Sequence, residues 1–183
     1  MEKKTKGFQT MDLAYVAVCA ALMAVCSWIS IPAAVPFTLQ TFAVFCSLGF
    51  LGGKRGTAAI LVYLLLGAVG VPVFAGFSGG IGILFGTTGG YLLGFILMGL
   101  IYWLGEQLGR DSRGIRIVSM ILGLLLCYAF GTAWFMFVYA RQSGAIALGT
   151  ALAWCVIPFL LPDLVKLALA LLLSGRLRRA LHL

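Results

Sequence analysis

The stretch IALGTALAWCVIPFLLPDLVKLALALLLSG, residues 146–175, is apolar and long enough to cross a bilayer, yet it contains Asp163 and Lys166. A span needs about 20 apolar residues to traverse a hydrocarbon core about 30 Å thick. An aspartate and a lysine inside such a span mark a functional site by default. Their i, i+3 spacing puts them on one face of a helix, close enough to pair or to grip one ligand together. A structural pair that neutralises itself is the alternative, because an unpaired buried charge costs several kcal/mol. Pro158 and Pro162 flank the first of the two charges on its N-terminal side. Each lacks a backbone donor and frees a carbonyl of the preceding turn, so the sequence predicts a helix kinked or locally opened here. Such a break is tolerated at membrane depth only where it is buried in protein or lines a cavity, which favours a ligand pocket.

The remainder of the chain reads the same way. It is 62% hydrophobic and 10% charged, with a mean hydropathy of +1.10, whereas a soluble domain carries about a quarter charged residues. The expected fold is an all-α integral membrane protein, a single transmembrane domain over residues 1–183 with six helices near 12–31, 39–53, 56–71, 83–106, 115–140 and 148–175. The second and third are short and flanked by glycines. Residues 71–90 break the pattern with proline and many glycines, and most of this segment is expected to form a loop or re-entrant turn. The apolar run from Leu13 is long enough to span, and no small-residue cleavage pattern follows it, so a cleavable signal is not expected.

Basic residues then set an orientation. With both termini cytoplasmic, Lys3, Lys4, Lys6, Lys54, Arg55, Arg110, Arg113, Arg116, Arg176, Arg178 and Arg179 face inward and Arg141 alone faces outward, as cytoplasmic loops require. The net charge of +8 is therefore topological, and the basic residues form no interleaved patch of the kind nucleic acid needs. Asp163 lies 13 residues before Arg176, roughly 20 Å from the inner boundary at about 1.5 Å per residue. That is the outer half of the membrane.

Other chemistries lack their residues. The five cysteines are scattered through spans without a C-x-x-C pair, and the sole histidine, His182, lies in the C-terminal tail. No nucleophile–base set is present, so the chain is not expected to be an enzyme. No G-x-x-x-x-G-K-[ST] occurs, since Gly53-Lys54 is followed by arginine, and any ATP-driven step would need partner subunits. On the outer side, IPAAVPFTLQTF offers Thr38, Gln40 and Thr41 beside Phe37 and Phe42, with Thr38 also a plausible helix cap. Ala17/Ala21 and Ala20/Ala24 are small-x-x-x-small pairs on the first helix, suited to close packing against a partner helix or against this chain's own helices.

Several strings together resemble one family: VPFTLQTFAVFCSLGFLGGKRG (35–56), LGAVGVPVFAGFSGG (66–80), GTTGGYLLGF (86–95) and PDLVKLALA (162–170). They look like the BioY family, the biotin-specific substrate-binding (S) components of energy-coupling-factor vitamin transporters. One departure is Thr87, where the family usually has proline in a Gly-Pro-Thr-Gly-Gly turn. The resemblance implies a six-helix protein of the bacterial plasma membrane that binds biotin from outside. It also implies a membrane coupling protein and two cytoplasmic ATPases as partners, with Ala17, Ala20, Ala21 and Ala24 on the helix that meets the coupling protein. Transport in the family is thought to involve tipping of the loaded S component. No cofactor is implied, and biotin is cargo.

By the same resemblance Asp163 and Lys166 contact the vitamin, Asp163 accepting ureido N–H groups and Lys166 meeting either the ureido oxygen or the carboxylate. Phe37, Phe74, Tyr91 and Trp134 are the aromatic candidates for its apolar rings, with Thr38 and Gln40 as further polar contacts. Uptake by this chain alone, or service as the S component for another small vitamin, remain the alternatives.

Overall fold

The computed structural model describes residues 9–109 and 112–180. Lys3, Lys4, Lys6, Arg110 and His182, and the side chains of Arg178 and Arg179, lie outside the described residues. Helix α1 (Thr10–Trp28) leads into a two-stranded hairpin of β1 (Ser30–Ile31) and β2 (Phe37–Thr38), then α2 (Gln40–Ala68). A 3-10 turn (Ala75–Phe77) and the short α3 (Ile81–Phe85) precede α4 (Gly89–Leu108), α5 (Arg113–Ser143), α6 (Leu148–Cys155) and α7 (Ile157–Ala180). Five of these elements, with α6 and α7 taken as one, are long and apolar enough to cross a membrane.

Helix α2 is in fact two limbs. Gly52 adopts φ 80°, ψ 173°, a conformation essentially reserved for glycine, and the helix breaks there. The limbs fold back on each other. A Cβ on Gly56 would lie 3.0 Å from the Cα of Leu48, and the Gln40 amide donates to the Tyr63 hydroxyl at 2.6 Å. In one straight helix those two residues would stand about 35 Å apart. The Glu106 carboxylate closes the turn by accepting the Gly53 N–H at 2.5 Å. The two limbs, residues 40–51 and 53–68, correspond to the expected helices 39–53 and 56–71, but the break falls at Gly52, inside the expected second helix, and Lys54 and Arg55, expected between helices, are helical.

Glycine also sets how closely α4 and α5 approach. A Cβ on Gly94 would collide with Cys127 across the interface, one on Gly123 would press on the Met98 backbone at 3.1 Å, and one on Gly131 would enter the Tyr91 ring. Without a hydrophobic drive between helices in lipid, such close backbone contact is what holds a bundle together. The core contains Met23, Phe45, Ile60, Tyr63, Phe74, Tyr102 and Phe135, whereas Val18, Leu65, Leu122, Phe137, Leu161 and Leu172 are exposed toward the surrounding bilayer.

The end of the bundle holding Asp12, Arg55, Arg113, Arg116 and Arg176 is opposite the end holding the β-hairpin, residues 70–88 and Arg141. The Asp12–Arg55 salt bridge, 2.9 Å, fastens α1 to the turn of α2 at the arginine-rich end. At the other end Ser27 donates to the Val73 carbonyl at 2.6 Å and the Trp28 indole to that of Pro72 at 2.8 Å. These bonds hold the irregular segment 70–80 over the bundle, as the loop or re-entrant reading required.

One local expectation is corrected. The last span breaks at Val156 (φ −126°, ψ −55°), between α6 and α7, and α7 runs unbroken through Pro162. The helix restarts at Ile157, so Pro158 falls in a first turn, where a missing N–H is not needed. The Val156 carbonyl is taken by the N–H groups of Phe159 and Leu160.

Candidate functional site

A cavity of about 200 Å³ opens at the end opposite the arginines. Four regions of sequence build it: the β-hairpin and the start of α2, the irregular segment 74–88, the facing sides of α4 and α5, and the α6–α7 break. Val35, Phe74, Ile83, Leu92, Phe95, Leu124 and Phe159 make its walls apolar. Its polar pole is concentrated on α7 and its neighbours.

Asp163 and Lys166 form that pole, with 1% and 6% of their surfaces exposed. Lys166 Nζ lies 2.8 Å from Asp163 Oδ1. The ammonium also donates to the Thr38 carbonyl at 2.7 Å and to Thr41 Oγ1 at 3.1 Å, so its three N–H groups have three protein acceptors. It sits 4.4 Å from the centre of the Phe37 ring, which stacks on Phe159. Asp163 accepts two further bonds, from Thr41 Oγ1 to Oδ1 at 2.8 Å and from the Tyr128 hydroxyl to Oδ2 at 2.6 Å. A carboxylate has about four acceptor positions. Three are used, which leaves one on Oδ2 for a ligand donor. Charge-assisted bonds of this kind contribute about 1.5–3 kcal/mol each.

Of the residues expected from sequence, Asp163, Lys166, Thr38, Gln40, Phe74 and Tyr91 all line the cavity. Thr38 enters in two ways. Its hydroxyl accepts the Gln40 N–H at 3.2 Å, although Leu39 and not Thr38 is the N-cap of α2, while its carbonyl holds Lys166. Gln40 is anchored through Tyr63, whose hydroxyl in turn donates to the Val73 carbonyl at 3.0 Å. Tyr91 pairs with Thr132 at 2.9 Å.

Phe37 stands behind Lys166 rather than on the cavity wall. Trp134 is not part of the lining either; its indole donates to the Gly86 carbonyl at 3.0 Å and secures the segment before α4. Tyr128, Phe95 and Phe159 were not anticipated. The only sequence signal for Tyr128 is a polar tip inside an apolar span.

The four alanines of α1 divide. Ala20 and Ala24 are buried against this chain's own helices, 2% and 6% exposed. Ala17 and Ala21 face outward beside the exposed Val18 and Val25.

Residues 1–183 match a family model described as the BioY family. A biotin transporter BioY of Thermotoga maritima is 44% identical over 160 residues, covering 87% of this chain and 90% of that protein. A probable biotin transporter BioY of Pyrococcus horikoshii is 39% identical over 168 residues, covering 91% and 96%. Among solved structures, the crystal structure of the S-component for biotin from an ECF-type ABC transporter superposes with a TM-score of 0.80. It is 27% identical, with 94% of this chain and 95% of that chain covered.

Proposed function

Because this chain belongs to the BioY family, we propose that it is the biotin-binding S component of an energy-coupling-factor importer, a multi-pass membrane transporter subunit rather than an enzyme. The observation that carries the reading is the buried Asp163–Lys166–Thr41–Tyr128 network at one pole of an otherwise apolar cavity. Biotin has the matching polarity, with a ureido ring that offers two N–H donors and an apolar thiophane ring beside it. Asp163 Oδ2 receives a ureido N–H at its remaining acceptor position, and Phe74, Phe95 and Phe159 flank the rings.

Lys166 acts in two ways. It holds Asp163 in place while the cavity is empty. It reaches a ligand acceptor, ureido oxygen or carboxylate, by releasing its longest bond, the one to Thr41 at 3.1 Å. Exchange of one charge-assisted bond for another keeps the ammonium satisfied throughout, which limits the cost of binding.

The partner assignment rests on α1. Ala17 and Ala21 present a small, open face on which a helix of a coupling protein packs, with two ATPases on the cytoplasmic side. Ala20 and Ala24 support that face from within. Gathering of Arg55, Arg113, Arg116 and Arg176 at one end supports cytoplasmic termini in a bacterial plasma membrane, with the cavity opening outward.

Titration of the purified protein with biotin, followed by tryptophan fluorescence, tests the substrate. Saturable binding at nanomolar to low-micromolar biotin is expected. Saturation by riboflavin or thiamine and not by biotin would reassign the cargo. Co-purification of ATPase subunits separates an importer complex from a solitary biotin transporter.

A further inference from the structure

The arginine-rich end contains a second cavity, of about 420 Å³, between the start of α5 and the end of α7, with Gly49 of α2 and Tyr102 of α4 also in its lining. Arg113, Arg116 and Arg176 line it, and no acidic side chain does so among the described residues. Neither α5 arginine is where a helix favours it. They lie in and just after the first turn, which has no acidic residue and where the helix dipole is positive. A third guanidinium arrives from α7. Inward-facing loops need basic residues somewhere, but topology does not require three to converge on one concavity.

We infer that this cavity is a binding site for a phosphate group carried by an anionic amphiphile, held by Arg113, Arg116 and Arg176. A tetrahedral phosphate offers pairs of acceptor oxygens that planar guanidinium forks match. It would also relieve both the mutual repulsion of the three cations and their conflict with the α5 dipole. The rim indicates how such a ligand is delivered. Ile117 and Leu172 line the same cavity and are 39% and 64% exposed, so the site is open laterally along apolar surface where an acyl chain can lie. Basic pockets between transmembrane helices on the cytoplasmic side commonly receive lipid phosphate in this way. The site is on the opposite face from Asp163 and does not depend on the identity of the vitamin.

The test uses the full chain in nanodiscs of neutral phosphatidylcholine, to which phosphatidylglycerol or inorganic phosphate is added. Bound lipid is read by native mass spectrometry and stabilisation by thermal unfolding. Wild-type protein is expected to retain phosphatidylglycerol and to melt higher with it, and Arg116→Gln/Arg176→Gln to lose about tenfold in retention. Biotin titration of the variant serves as its folding control, because neither arginine touches the outer cavity. Should the glutamine variant not fold, Arg116→Lys/Arg176→Lys keeps the charge and still weakens retention by removing the forks. Equal protection by inorganic phosphate would assign the site to a soluble phosphate compound. No preference for phosphatidylglycerol or phosphate over neutral lipid in the wild type, or equal retention by the variants, overturns the inference.

Discussion

Replacing Lys166 by methionine isolates the electrostatic logic of the site. The side chain keeps nearly the same length, but the ammonium and its bonds to Asp163, Thr41 and the Thr38 carbonyl disappear. Asp163, with a side chain only 2% exposed, then keeps two hydroxyl donors and no counter-charge. Removing one member of a buried ion pair costs about 3–5 kcal/mol, because the other charge remains where it is poorly solvated. Adding Asp163→Asn removes that charge, so the double variant should recover part of the loss. Thermal unfolding in one detergent is the assay, with both single variants, the double and the wild type melted side by side. The expected order has Lys166→Met lowest and Asp163→Asn/Lys166→Met above it. A double variant that melts below Lys166→Met, or a single variant indistinguishable from wild type, refutes the claim that the ammonium is what makes the carboxylate tolerable.

Three other outcomes follow from particular contacts. Tyr128→Phe keeps the ring and deletes the 2.6 Å bond to Asp163 Oδ2, so unfolding should show a loss of about 1.5–3 kcal/mol with the bundle intact. Gly131→Ala drives a methyl group into the Tyr91 ring on the cavity wall, and fluorescence titration should show weakened biotin binding. Ala21→Trp on the open face of α1 should leave biotin affinity unchanged yet abolish co-purification with coupling partners. Ala20→Trp should instead destabilise the isolated subunit, because Ala20 is buried.

Much of this arrangement is legible in the chain because membrane proteins place so few polar groups inside. Asp163 and Lys166 stand out against an apolar span, and the division of α2 was expected within a few residues of Gly52, where it occurs. Tyr128 was hidden by the opposite circumstance. It is one aromatic among several on α5, and its meeting with Asp163 depends on the register between α5 and α7, which spacing within either helix does not set. Trp134 misled for a related reason, since an aromatic toward the cavity end of a span serves equally to line a cavity or to secure a loop. The position of the helix break was displaced because two prolines announce a restart without saying which residue carries it. Val156 does so, and that choice puts Pro158 where its missing donor costs nothing.

The most direct test is calorimetric titration of biotin into wild-type protein and Asp163→Asn under identical conditions. Asparagine preserves shape and removes the charge proposed to accept the ureido N–H, so affinity should fall at least about tenfold, near 1.4 kcal/mol, in protein that still folds. Equal affinity in the two proteins would mean that Asp163 and Lys166 hold each other and not the vitamin.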